Sequence, residues 1–241
     1  MQMSKLNLWT GIWILSGLFL LAGCAVQKDA TPNTGMKTAP KTAPDFTQKE
    51  IRTEDGHIVK YEGGNGGGFV RSYKNGKKDG ITALYKNGVL YGEKSYKDGV
   101  LHGLSRNYHF PLTLNEVYYV DGKKHGVAKE WCDDNRKLKS RKHYKYGKLD
   151  GLSEEWSCGK KHHLANSIEY KDDKKNGVYK MYDIYNFKNG KLVSMTTYRD
   201  DIKNGLSQEY NNGKLYSEIV YKNGRAFDMN GKYIPTIKVK E

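Results

Sequence analysis

Apolar positions in this chain recur in register with one phrase, Tyr-x-Asn/Asp-Gly-x-x-x-Gly. It begins at Tyr73, Tyr96, Tyr119 and Tyr144, and in looser form at Tyr170, Tyr198 and Tyr221, the starts being 23, 23, 25, 26, 28 and 23 residues apart. With each Tyr as position zero, an aliphatic residue stands at +8: Ile81, Leu104, Val127, Leu152, Val178 and Leu206. An aromatic stands at +12: Tyr85, Tyr108, Trp131, Trp156, Tyr182 and Tyr210. Alternate residues of a strand share a face, so +8, +10 and +12 predict one strand with an apolar side. A turn signal follows, Asn87-Gly88, Asn189-Gly190 or Asn212-Gly213. Asn-Gly supplies the two positive φ angles of a type I′ hairpin turn. The return strand carries Leu six before the next Tyr (Leu90, Leu138, Leu164, Leu192, Leu215) and often Ile or Val two before it (Val117, Ile168, Ile219). Simple alternation puts both on the face of the Tyr itself.

A period in the range of 20–50 residues signals a repeat architecture. The expected fold is all-β, an elongated, twisted, single-layer antiparallel meander of about seven two-stranded repeats. At about 4.8 Å per strand such a ribbon is roughly 65 Å wide, and a sheet of that width twists. One face should be aromatic and aliphatic, the other charged.

The Tyr, Gly, aromatic and Gly spacing is similar to MORN repeats, and the wording YKNGKxxG followed by YxNGKL resembles a bacterial variant, the YwqK-type antitoxin-like proteins. The resemblance covers about residues 73–226, nearly the whole of the repeat array expected at 73–228. It implies a single-layer β array used for binding or scaffolding, without a shared enzymatic activity. The chain departs from the pattern where Asp173 and Asp201 replace the first glycine, and at Phe110-Pro111. Altered loops are expected there.

The flanks point to an address. Residues 1–23 have a positive start at Lys5 and an apolar stretch from Ile12 to Leu21, the length of a signal-peptide core and too short to span a bilayer. Leu21-Ala22-Gly23-Cys24 resembles the lipobox of bacterial lipoproteins, which implies cleavage before Cys24 and lipidation of its thiol. Several acyl chains hold a protein on a membrane without spanning it. Ala25 follows, where an Asp would by the same resemblance retain a Gram-negative lipoprotein at the inner membrane. An outer-membrane destination is expected in such a host, and the outer face of the plasma membrane otherwise. Residues 24–48, rich in Thr, Ala, Pro and Lys, read as the lipidated cysteine and a flexible tether of roughly 25–30 Å. Residues 49–72 read as a lead-in or capping segment and 229–241 as a tail.

Composition agrees with a thin polar array: hydrophobic content is 37% and formal charge +14. Lys-rich loops at Lys77-Lys78, Lys123-Lys124, Lys160-Lys161 and Lys174-Lys175 suit anionic envelope polymer or lipid headgroups, or simply solubilise the turns. Nucleic acid is not an expected partner for an anchored extracytoplasmic protein. Cys132 and Cys158 sit at +13 and +14 of adjacent repeats. An extracytoplasmic compartment permits a disulfide, yet equivalent strands of neighbouring repeats lie about 9–10 Å apart. Disulfides need Cα atoms about 4.4–6.8 Å apart, and the one-residue offset points the side chains oppositely. Only distortion at the hairpin ends would bring the two together.

No metal site, cofactor or enzymatic activity is expected. His162 and His163 near Cys158 lack zinc-type spacing and read as solvated loop residues. His102 and His125 at +6 alternate with Asp79, Asp150, Asn176 and Asn204, which is turn chemistry. The pairs Asp133-Asp134, Asp172-Asp173 and Asp200-Asp201 fall in predicted turns, and no Lys-Ser/Thr follows the glycine run from Gly63 to Gly68. The expected role is a membrane-anchored binding or scaffolding module. Its partner, a protein or peptide, would meet the aromatic positions Tyr85, Tyr108, Trp131, Trp156, Tyr182 and Tyr210. An antitoxin-like immunity protein acting at the envelope is the alternative.

Overall fold

The computed structural model describes residues 39–47, 49–109, 112–133, 136–184 and 190–235. The signal segment, Cys24, the Phe110-Pro111 turn, Asp134 and Asn189 lie outside them. Among the described residues nineteen strands form one open antiparallel sheet that follows chain order, except that the strands before Lys123–Lys124 and Lys174–Lys175 also pair with the strand beyond, and the sheet does not close into a barrel.

The turns set this order. Both central residues have positive φ at Asn75-Gly76, Asn87-Gly88, Asp98-Gly99, Asp121-Gly122, Tyr146-Gly147, Asn212-Gly213 and Asn223-Gly224, as a type I′ turn demands. The Asn/Asp-Gly of the phrase therefore joins one repeat to the next, and the second turn closes the hairpin within it. Each phrase turn also docks on its predecessor. Gly99 N–H donates to Lys78 O (2.7 Å), Gly122 to Leu101 O (2.8 Å), Gly147 to Lys124 O (2.7 Å) and Gly224 to Lys203 O (2.9 Å).

Asp173 and Asp201 do not alter the loops, contrary to the expectation from sequence. They adopt φ of 69° and 68° and make the same backbone bonds, to Leu149 O (2.9 Å) and Lys175 O (3.0 Å). Their carboxylates add a second bond that glycine cannot, accepting from Leu149 N (2.7 Å) and Lys175 N (2.8 Å).

The aromatic at +12 faces the predicted leucine directly: Tyr85 opposite Leu90, Trp131 opposite Leu138, Trp156 opposite Leu164, Tyr182 opposite Leu192 and Tyr210 opposite Leu215. The expected face of the Tyr at zero is corrected. A register shift lies just before each +12 residue, between Leu84 and Tyr85, Glu155 and Trp156, and Glu209 and Tyr210. One extra residue in a bulge reverses the alternation. The +8, +10 and +12 residues and the leucines hence share a front face, while each Tyr at zero and the Ile or Val two before it share the back.

Neither face is purely apolar or purely charged, another departure from expectation. Position +10 on the front carries Arg106, Lys129 and Glu154, opposite Glu116, Arg141 and Arg141 respectively. On the back, three lysines of the Lys-rich loops, and Lys203 with them, lie over the tyrosine rings. Lys78 is 5.0 Å from the Tyr96 centroid, Lys124 5.0 Å from Tyr144, Lys175 5.3 Å from Tyr198 and Lys203 4.9 Å from Tyr221. Each such contact contributes about 0.5–1 kcal/mol at an exposed site.

The lead-in at 49–72 extends the sheet by the strands Glu50–Arg52, Ile58–Gly64 and Gly67–Lys74, and Tyr233–Ile234, placed in the tail, pairs with Arg225–Phe227. Part of the predicted tether is also structured. Residues 39–47 lie across the front of the first hairpins, where Ala39 and Phe46 join Val59, Val70, Ile81, Ala83, Tyr85 and Leu90 in a buried apolar cluster. Gly68 makes the room: a Cβ there would stand 3.0 Å from the Phe46 ring and 2.4 Å from Glu62 O.

Candidate binding surface

Six aromatics occupy one front-face row, two strands apart from repeat to repeat, which is about 9.6 Å. Their surroundings differ along the array. Tyr85 is 1% exposed, with its hydroxyl donating to Pro40 O (2.9 Å) and its ring edge-on to Phe46 at 6.2 Å. Burial, then the nearby Glu93 carboxylate, push its phenol up to about 12. The strap formed by residues 39–47 is stitched to the strand below: Leu90 N donates to Lys41 O (2.9 Å) and Ala43 N to Gly88 O (2.8 Å).

Glu93 links this covered end to the open one. It is 6% exposed and accepts from Ala39 N (3.0 Å), Arg106 Nη1 (3.2 Å) and the Tyr108 hydroxyl (2.8 Å). A buried carboxylate needs such donors. Arg106 in turn donates from Nε to Glu116 (2.9 Å). Burial, with Glu93 beside it, raises the Tyr108 phenol well above the usual tyrosine range. Tyr108 thus lies at the margin of the strap.

Beyond it, Trp131, Trp156, Tyr182 and Tyr210 are each only partly buried. Trp156 is flanked by the Arg141 guanidinium at 5.8 Å and by His162 stacked at 6.2 Å and 11°. Arg141 is held by Glu154 (2.8 and 2.5 Å). Tyr210 donates to Gln208 Oε1 (2.8 Å). These contacts flank Trp156 and Tyr210 on a surface beyond residues 39–47. His162 is accordingly no free loop histidine: besides the indole it meets Leu138 O at 2.5 Å.

Cys132 and Cys158 form a disulfide, with Cα atoms 5.7 Å apart. The geometric objection from sequence fails because no strand separates them. The strand Gly126–Trp131 ends just before Cys132, Lys148–Trp156 ends before Cys158, and the intervening strand begins only at Leu138. Both cysteines therefore lie beyond the regular ladder, where Cys132 N bonds Lys137 O (2.9 Å) and Ser157 N bonds His163 O (2.9 Å). The bond ties the ends of the two tryptophan hairpins.

Sequence reasoning also passed over His57. It is 5% exposed, with Nε2 3.0 Å from Asp79 Oδ1 and Nδ1 3.0 Å from Asp55 Oδ1. It fastens the Glu50–Arg52 and Ile58–Gly64 end to the first repeat. At +6, His102 Nδ1 meets Asp121 Oδ1 (3.3 Å) and His125 stands edge-on to Tyr146 at 4.8 Å, both contacts with the next turn. Among the described residues no three His, Cys, Asp or Glu side chains gather as a metal site would need.

No protein-family model matches the chain, and no curated protein matches it. The array is described by its own geometry alone.

Proposed function

We propose that the chain is a membrane-anchored envelope lipoprotein, lipidated at Cys24, whose MORN-like array is a non-catalytic binding module for an extended protein segment. The observation that carries the reading is the strap. Residues 39–47 occupy the start of the aromatic row as a ligand would, giving a carbonyl to Tyr85, an amide to Glu93 and a ring to the aromatic edge. The same row continues uncovered through Trp131, Trp156, Tyr182 and Tyr210, and large aromatic side chains are favoured anchors of protein interfaces. The disulfide supports an oxidising, extracytoplasmic address.

Two measurements test this. Palmitate labelling should be lost in C24A, and retention of the label would remove the anchor. A photo-crosslinking residue at Trp156 should capture one protein in native membranes, with crosslinks on an extended segment of it, whereas the same probe at the back-face Ser194 should not. Equal capture at both positions would defeat the front-face assignment, and recovery of a toxin would recast the module as an immunity protein.

A further inference from the structure

On the back face, away from the strap, a cavity of about 290 Å³ opens over the strands Gly67–Lys74, Lys77–Lys86, Val89–Lys97 and Val100–His109. It exists because of one residue. The row Phe69, Leu84, Gly92, Asn107 crosses four adjacent strands, and Gly92 stands four before the next Tyr. The other repeats place Asn115, Ser140, Asn166, Ser194 and Ser217 there. The φ of Gly92 is not among the positive values, so the backbone does not call for glycine; its missing side chain leaves the gap. A Cβ at Gly92 would come within 3.0 Å of Asn107 Oδ1 and 3.3 Å of Arg106 O.

The walls are chemically specific. Phe69 and Tyr91, 36% and 40% exposed, present rings to the opening. The second row contributes Arg71, Thr82 and Lys94. Arg71 is committed: it stacks on Phe69 at 4.2 Å and pairs with Glu62. Lys94, by contrast, has no carboxylate partner among the described residues, nor has Lys78, which lies over the Tyr96 ring at 5.0 Å; both line the cavity. Thr82 Oγ1, also in the lining, is buried without a hydrogen-bond partner. Buried hydroxyls are nearly always bonded, so an orphan beside a cavity marks a place for a ligand oxygen.

We propose that this cavity binds a ring-bearing organic acid: the ring lies against Phe69 and Tyr91, the carboxylate faces Lys78 and Lys94, and an oxygen reaches Thr82. The volume, at the low end of small-molecule sites, suits a single six-membered ring with substituents. Two sources share this chemistry, a sugar acid and an aryl acid. The site does not depend on the front-face partner.

The test uses the full-length protein, with amide NMR and calorimetric titration of D-glucuronate, benzoate and, as a neutral control, D-glucose. The expected result is millimolar or tighter binding of at least one acid, with shifts centred on Thr82, Leu84, Gly92 and Lys94, and much weaker binding of glucose. Which acid binds names the source. G92N, which restores a residue the array carries elsewhere, should keep the fold and abolish binding, while K94Q should weaken it about two- to five-fold, the loss of one solvent-screened charge contact. Absence of shifts with both acids overturns the proposal. So does binding that survives G92N in a folded variant, or glucose binding equal to that of the acids.

Discussion

Removing the Cys132–Cys158 bond is the sharpest test of how the centre of the array is held. The two residues are separated by 26 positions, and closing a loop of that length removes about 3.5 kcal/mol of unfolded-chain entropy at 25 °C on the loop-closure relation. Alanine at both positions avoids placing a hydroxyl at Cys132, which is only 2% exposed. For a domain of about 200 residues, where each kcal/mol moves the midpoint by about 2–4 °C, the double variant should melt about 7–14 °C lower. Guanidinium unfolding followed by tryptophan fluorescence suits the question, because Trp131 and Trp156 immediately precede the two hairpin ends that the bond ties. The oxidised wild type should unfold at higher denaturant than C132A/C158A, and wild type treated with reductant should match the variant. Two alkylatable thiols at Cys132 and Cys158 in protein isolated without reductant would refute the reasoning. A midpoint unchanged by the double substitution would refute it too, by showing that the tie constrains nothing the sheet does not already hold.

F46A should cost about 3 kcal/mol, the lower end for a buried Phe truncated to Ala. It should also raise the hydrogen-exchange rate of the Leu90 amide, which donates to the strap; an unchanged rate would mean that the strap is not seated by its ring. For His57, burial disfavours the imidazolium, but the Asp79 and Asp55 carboxylates outweigh it and the pKa is raised. The resulting stabilisation is complete below the unfolded value of about 6.5 and fades as pH rises through the folded value. The stability gap between wild type and H57Q should therefore be larger near about pH 5.5 than near about pH 8.5, and a gap that grows with pH would reverse the assignment. D201A should lose about 1–2 kcal/mol, from a non-glycine residue in the left-handed region and a missing acceptor for Lys175 N, while D201G should lose less. Chemical denaturation compares the two, and equal losses would assign the effect to the carboxylate alone.

The hairpin order was legible because turn chemistry is local: Asn87-Gly88 and Asn212-Gly213 state their φ angles in the residues themselves. So were the aromatic at +12 and the leucine of the return strand as apolar positions, although not their pairing across the turn. The facing of the phrase tyrosines was not, because the bulge before each +12 residue adds one residue that no side-chain pattern announces. The cysteine pair was misjudged for a related reason: strand spacing was applied where the strand beginning at Leu138 has not yet started. Residues 39–47 carry one large apolar side chain, Phe46, in a Pro- and Thr-rich stretch, so composition read them as tether. Their docking depends on Gly68 and Glu93, far along the chain. The back-face cavity turns on the omission of a side chain at Gly92, a signal visible only once the repeats are aligned by their pairing.

The bonds by which each phrase turn docks on its predecessor have a consequence for length. The donor is always the residue three after the Tyr and the acceptor always the carbonyl five after the preceding Tyr, from Gly99 on Lys78 to Gly224 on Lys203. The backbone bond at every junction is therefore the same. Excision of 96–118 would bring Gly122 to the carbonyl of Lys78 with the same backbone bond, at the cost of the Arg106 and Tyr108 donors to Glu93. The turn-to-turn bonds thus set the array's length in steps of two strands, about 9.6 Å each.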